Sequence, residues 1–221
     1  MKKKEKRKIS TTRWIATGFL IVILLGTFLL MLPNSSASGK STGFIDALFT
    51  ATTSVCVTGL TTVVTATHWS LFGKVVILIL IQLGGLGVVC CMVAVLMLFR
   101  VKIDMREKVM IQESYGLDSM RKIMGIIPKV IKGTIIVELT GAIFYSFRFI
   151  PQYGFLRGVW YSVFHSISAF CNAGFDVLGT ADNQFASMTT YACNPVINIT
   201  LMLLIVIGGI GFVTWEDIEN N

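Results

Sequence analysis

Apolar residues fall along this chain in long unbroken runs rather than at the 3.6- or 2-residue spacing of half-buried helices and strands. The run 14–32 covers 19 residues, about 28 Å as a helix, enough to cross the hydrocarbon core of a bilayer. The run 75–99 holds 25 residues without a charge and stops at Arg100. A third, 131–150, is interrupted by Lys132, Glu138 and Arg148, so its helix must turn Glu138 toward protein or water. The fourth, 196–213, follows Pro195, a residue suited to the first turn of a helix. Four membrane-crossing helices are predicted. KKKEKRK before the first run and SSASG after it have the outline of a signal peptide, but the apolar part of such a peptide is only about 7–15 residues long, so the run is read as a retained helix.

Between these runs lie two apolar stretches, 44–54 and 159–169, each about 16 Å long as a helix and too short to cross. They are copies of one another. At an offset of 115 residues Gly43 pairs with Gly158, Phe49 with Phe164, Thr53 with Ser168, Cys56 with Cys171, Gly59 with Gly174 and Leu60 with Phe175. The following runs match too, QLGGLGV at 82–88 against VIGGIGF at 206–212, with nine extra residues in the second copy. A repeat on this scale sets the architecture. The predicted fold is an all-α polytopic membrane protein of two parallel repeats, each a span, a re-entrant pore helix with a filter strand, and a span. Its parts are a basic N-terminus (1–13), the first repeat (14–99), a basic loop (100–130), the second repeat (131–215) and an end segment (216–221).

Composition supports this reading. The chain is 54% hydrophobic and 14% charged, with a mean hydropathy of +0.74, which excludes a disordered, collagen-like or ordinary soluble chain. The net charge of +7 is unevenly spread: seven Lys and Arg precede residue 14, two lie between the first two runs, eight in 100–132 and two in 148–195. By the positive-inside rule the N-terminus and the 100–132 segment are cytoplasmic, and four crossings return the C-terminus to that side. The N-terminal basic cluster reads as a topology signal and anionic-lipid contact, not a nucleic-acid site. Two histidines and five cysteines, with no CxxC or HxxxH, spell out neither a zinc site nor a redox motif.

A short helix entering from outside directs its C-terminal, negative dipole end toward the membrane centre, where it attracts a cation. The chain then returns through Val55, Cys56, Val57, Thr58 and Gly59 in one copy and Phe170, Cys171, Asn172, Ala173 and Gly174 in the other. Irregular backbone at this depth must line a pore or be buried in protein, and its carbonyls are suited to replace an ion's water shell. Glycine supplies backbone angles that other residues resist. Asp176 stands where an outer mouth would be, either concentrating cations or as an ordinary solvated carboxylate; Asp46 reads as an acid at a helix N-terminus. GGLG and GGIG lack the strand-to-helix setting of nucleotide-binding glycines and read as close-packing positions.

The segments TATTSVCVTGLTTV, QLGGLGV, SISAFCNAGFDVLG and IGGIGFVTWEDI resemble the Trk/Ktr/HKT superfamily of potassium transporters, and the KtrB-type membrane subunits within it, over nearly the whole chain from Trp14. That resemblance implies four repeats around one pore, with Gly59 and Gly174 as filter glycines, K+ as the transported ion with some Na+ permeation, and no catalytic residues. It also implies a homodimer in the cell membrane on a cytosolic KtrA-type ring that carries the gating nucleotide, with no cofactor on this chain. Two repeats are half of that pore, so the chain is expected to be an N-terminal half, two copies of a short form and a non-conducting partner of a full-length subunit being the alternatives. A membrane enzyme using Cys171, His165 and Asp176 is the rival from another class, but Thr50 stands where His165 would be in the first copy. For Glu138 a contact with another repeat is expected ahead of a coupling role, and for His165 a buried, hydrogen-bonded imidazole ahead of a proton relay.

Overall fold

The computed structural model describes residues 11–87, 90, 91, 120–180, 183, 186–211, 214 and 215. The N-terminal basic cluster, the end of the second apolar run, most of the basic loop and residues 216–221 lie outside them. Seven α-helices are described: α1 (Thr11–Met31), α2 (Phe44–Val55), α3 (Thr65–His68), α4 (Leu71–Gly85), α5 (Met120–Tyr153), α6 (Phe155–Phe170) and α7 (Pro195–Gly209). Short 3-10 turns at Pro33–Ser35 and Ser187–Tyr191 join them. Among the described residues one helix, over Ile127–Tyr153, is by length and composition able to cross a membrane, and α1, α2, α4 and α7 are shorter apolar helices.

The repeat in the sequence is a repeat in space. Within each copy the first helix, the short helix and the last helix pack on one another, α1, α2 and α4 in one and α5, α6 and α7 in the other. Small residues allow the approach. A methyl group on Gly26 would strike Leu80 and meet Ala51, and one on Gly141 would strike Leu204 and Ser166, which are the same three positions in the two copies. The last helices start alike as well. Ser70 Oγ accepts the Gly73 N–H at 3.2 Å, and Asn194 Oδ1 accepts the Ile197 N–H at 3.2 Å, each an N-cap that satisfies a donor the helix cannot. Pro195 sits at the first turn of α7, where its missing N–H does no harm.

Two expected spans differ in extent. The uncharged run 75–99 is not one continuous helix: α4 stops at Gly85, Leu86 caps it, Gly87 takes φ of 83°, and helix resumes at Cys90 and Cys91. Gly211 makes the same left-handed break after α7, with φ of 90°. Hydropathy cannot register a backbone break that carries no charge. The third span begins earlier than residue 131, because Met120 already opens α5, with Ile127 and Val130 buried and Pro128 and Pro151 accommodated within it. Large apolar side chains cover the outer flanks, Leu25, Phe28, Leu139, Ile143, Phe147, Leu203 and Val206 all being exposed, a surface far more apolar than water tolerates.

The tightest contacts join the last helix of each copy to the end of its short helix. A Cβ on Gly84 would lie on the Val55 carbonyl, and one on Gly208 on the Phe170 carbonyl. Both neighbours are backbone and cannot swing aside. Gly208→Ala is therefore expected to abolish most folded protein in detergent, whereas Gly125→Ala, with nothing within 4 Å of the new methyl, is expected to leave it unchanged or raise its stability by about 0.5–1 kcal/mol. Melting the purified variants by fluorescence-detected size exclusion checks the contrast, and equal tolerance at both sites would refute the contact.

Candidate functional site: the paired turns after the short helices

Both short helices end in the same hydrogen-bonded turn. After α2 the Val57 N–H reaches Ser54 O at 3.4 Å and the Thr58 N–H reaches Thr53 O at 3.0 Å; after α6 the Asn172 N–H reaches Ala169 O at 3.0 Å and the Ala173 N–H reaches Ser168 O at 2.8 Å. This is a Schellman termination, in which one left-handed residue lets the chain fold back over the last carbonyls. Val57, with φ of 56°, and Asn172, with φ of 58°, are those residues. Asparagine accepts that conformation readily and a β-branched valine does not, at a cost of about 1–2 kcal/mol. Asparagine at 172 is itself a faint signal of such a turn, and valine at 57 is none.

Two residues further on, Gly59 and Gly174 are also left-handed, with φ of 74° and 70°. These are the glycines the sequence singles out. They meet: a Cβ on Gly59 would fall 2.5 Å from Ala173 O and 3.3 Å from the Gly174 Cα, while one on Gly174 would find only the Gly59 Cα, at 3.7 Å. The two turns thus lie side by side, although 115 residues separate them in sequence.

The hydroxyl preceding each turn ties its far end back to the helix. Thr53 Oγ1 accepts the Leu60 N–H at 2.9 Å and lies 2.5 Å from Thr58 Oγ1; Ser168 Oγ donates to Phe175 O at 2.7 Å. Thr53 and Ser168, like Leu60 and Phe175, are repeat partners, so one small hydroxyl does the same work in both copies. Val55 and Phe170 are the last helical residues, and their carbonyls face the glycines of α4 and α7. Cys171, at 8% exposure, is buried, whereas its counterpart Cys56 is exposed.

The second turn carries supports that the first lacks. His165 is buried, and both of its ring nitrogens are engaged: Nδ1 lies 2.7 Å from Tyr161 O and Nε2 accepts the Val177 N–H at 3.4 Å, so the ring is a neutral brace under the 175–178 segment. It is not available as a catalytic base for Cys171. Asp176 is half-buried, and its Oδ1 accepts the Leu178 N–H at 3.0 Å. Glu138 finds the partner in the other repeat that the sequence could not name, since Gln82 of α4 donates Nε2–H to its Oε1 at 2.9 Å. Among the described residues no cluster of His, Cys, Asp and Glu could hold a metal ion. What the site offers is main chain: two left-handed turns closing the C-terminal, electronegative ends of two helices.

Comparison with known proteins points the same way. Residues 2–218 match the family model TrkH, described as a cation transport protein. The chain is 42% identical over 218 residues to the potassium/sodium uptake protein NtpJ of Enterococcus hirae, covering 99% of this chain and 47% of that protein. It is 39% identical over 207 residues to the Ktr system potassium uptake protein B of Bacillus subtilis, covering 94% of this chain and 45% of that one. Against the protein of the same name from Vibrio alginolyticus it is 36% identical over 216 residues, covering 98% and 46%. It therefore spans about half the length of the curated relatives it matches. With a family match over nearly its full length and the paired glycine turns in register, the chain belongs to the TrkH family of membrane cation transport proteins.

Proposed function

We propose that this chain is the first half of a potassium-uptake membrane subunit, supplying two of the four repeats that surround one pore. Each repeat crosses the membrane, returns through a half-length pore helix and filter turn, and crosses again, and the two are parallel, with the N-terminus on the cytoplasmic side of the cell membrane. K+ passes inward between carbonyls of Cys56, Val57, Thr58 and Gly59 and of Cys171, Asn172, Ala173 and Gly174, with Asp176 at the outer mouth; the carbonyls of Val55 and Phe170, expected from the sequence to join them, are turned instead against Gly84 and Gly208. The complete subunit forms a homodimer on a cytosolic ring that binds the gating nucleotide. One observation carries this reading: two turns of matching backbone, each closing a helix at its electronegative end, meet at their left-handed glycines. The names of the relatives, which concern uptake of potassium or of potassium and sodium, supply the ion.

The physical argument is that of a filter without charged side chains. A K+ ion leaving water needs several oxygens at once, and carbonyl dipoles provide them without binding so tightly that the ion stays. One glycine in each turn fixes fewer carbonyls than a longer glycine motif would, so some Na+ passage is expected.

Uptake of rubidium by potassium-starved cells lacking their own transporters tests the reading. A four-repeat chain that begins with these residues is expected to transport, and Gly174→Ser is expected to lower its preference for K+ over Na+ about tenfold, the equivalent of ~1.4 kcal/mol. Transport by the 221 residues alone would mean that two copies complete the pore. No transport by either form with the cytosolic ring present would defeat the proposal. The packing of the two turns gives a second expectation. Gly174→Ala adds mainly the strain of a left-handed alanine, about 1–2 kcal/mol, whereas Gly59→Ala also drives a methyl into Ala173 O. The Gly59 variant should melt at the lower temperature, and the reverse order would show that the turns do not meet in this way.

A further inference from the structure

Two hydrogen bonds between the repeats form one short line. Glu138 of α5 lies at 8% exposure, its Oε1 receives Gln82 Nε2–H at 2.9 Å, and on the other side of the Gln82 amide Oε1 receives the Cys171 thiol at 3.7 Å. The amide has one donor end and one acceptor end, and a carboxylate accepts only, so Glu138 fixes which end of Gln82 faces Cys171. Cys171 caps α6 and opens the second filter turn. It is wedged there, since a Cβ on Gly85 would lie 2.5 Å from its sulfur. Ser166 of α6 adds a bond to the Glu138 main-chain oxygen at 2.6 Å, so α4, α5 and α6 all converge on this residue.

The molecule contains its own control. At the repeat partners of Glu138 and Gln82 stand Ile23 and Val206, and Cys56, partner of Cys171, is exposed. Ile23 is half-buried and Val206 exposed, so neither partner position makes the buried contact that Glu138 and Gln82 make. A buried acid is expensive in this setting, and packing alone does not account for it.

Resting on the proposed pore, we propose that Glu138, acting through Gln82, is a positioning residue for the second filter turn, holding Cys171 and the carbonyls after it at the spacing that favours K+ over Na+. The carboxylate does not touch the ion. Its effect is mechanical, and it belongs to one turn only.

The test is rubidium uptake, with Na+ competition, by the four-repeat chain carrying Glu138→Leu, Gln82→Leu, the double change, Glu138→Gln and Cys171→Ala, each normalised to its abundance in the membrane. Glu138→Leu and Gln82→Leu are each expected to raise the rubidium KM and weaken the K+ over Na+ preference by about 3- to 10-fold, the loss of one or two hydrogen bonds, with maximal rate per molecule little changed. The double change should be no worse than either single one, because the two residues act in series. Glu138→Gln still offers an oxygen to Gln82 but can also donate to it, so its selectivity should fall between the wild type and Glu138→Leu. If Glu138→Leu fails to reach the membrane, Cys171→Ala and Gln82→Leu carry the test: each alone should reduce selectivity, and together they should not add. Unaltered KM and selectivity in variants of normal abundance would overturn the proposal, as would a Glu138→Gln variant no better than Glu138→Leu, which would make charge the operative property. If Gly174→Ser also leaves selectivity untouched, it is the pore reading that fails; if Gly174→Ser shifts it and these variants do not, only the positioning role falls.

Discussion

A helix that stops inside a membrane leaves its last carbonyls without partners, and no water is present to satisfy them. The two short helices of this protein end with such carbonyls, and much of the surrounding structure serves those ends. The Schellman turns recover the carbonyls of Thr53 and Ser54, and of Ser168 and Ala169, by folding the chain back over them. The carbonyls of Val55 and Phe170 rest against Gly84 and Gly208, where any side chain would collide. That close approach fixes the glycines of the last helices, the distance between those helices and the short ones, and hence the place of the turns themselves.

Around this shared backbone the two copies are supported differently. The second turn leans on His165, on the amide of Asn172, which reaches Ile205 O at 3.3 Å, and on the Cys171, Gln82 and Glu138 line. The first rests on the Thr53 and Thr58 hydroxyls and on hydrogen bonds of its own main chain. Further out, Tyr153, Tyr191 and Gln152 bind the segment following the second turn to the end of α5, Tyr191 donating to Gln152 Oε1 at 2.9 Å. Polar side chains are sparse in this protein and gather where they orient main chain, which is the economical use of groups that are costly to bury.

The repeat, its register, the paired turn glycines and the close-packing glycines were all legible in the sequence, because each depends on residue type at a fixed spacing. Four features were not. The left-handed Val57 contradicts its own propensity and is held by the turn hydrogen bonds on either side, a tertiary override that no single-residue preference reveals. The break at Gly87 lies inside an uncharged run, where hydropathy is blind to backbone angle. The partner of Glu138 comes from a residue 56 positions earlier on another helix, and only the relative placement of the repeats brings it near. The start of α5 at Met120 was hidden for the opposite reason: basic residues masked an amphipathic turn that buries Ile127.

Tandem duplication within one chain has a consequence for how paired turns of this kind can diverge. In an assembly of identical subunits every substitution appears at all equivalent positions at once, so a change that suits one wall of the conduit is imposed on the others. Here the copies are covalently joined yet separately encoded. Ile23 and Glu138, Val206 and Gln82, Val57 and Asn172 are pairs in which one backbone geometry carries two chemistries. The shared turn geometry survives in the main chain while the side chains behind it are free to specialise, one turn at a time.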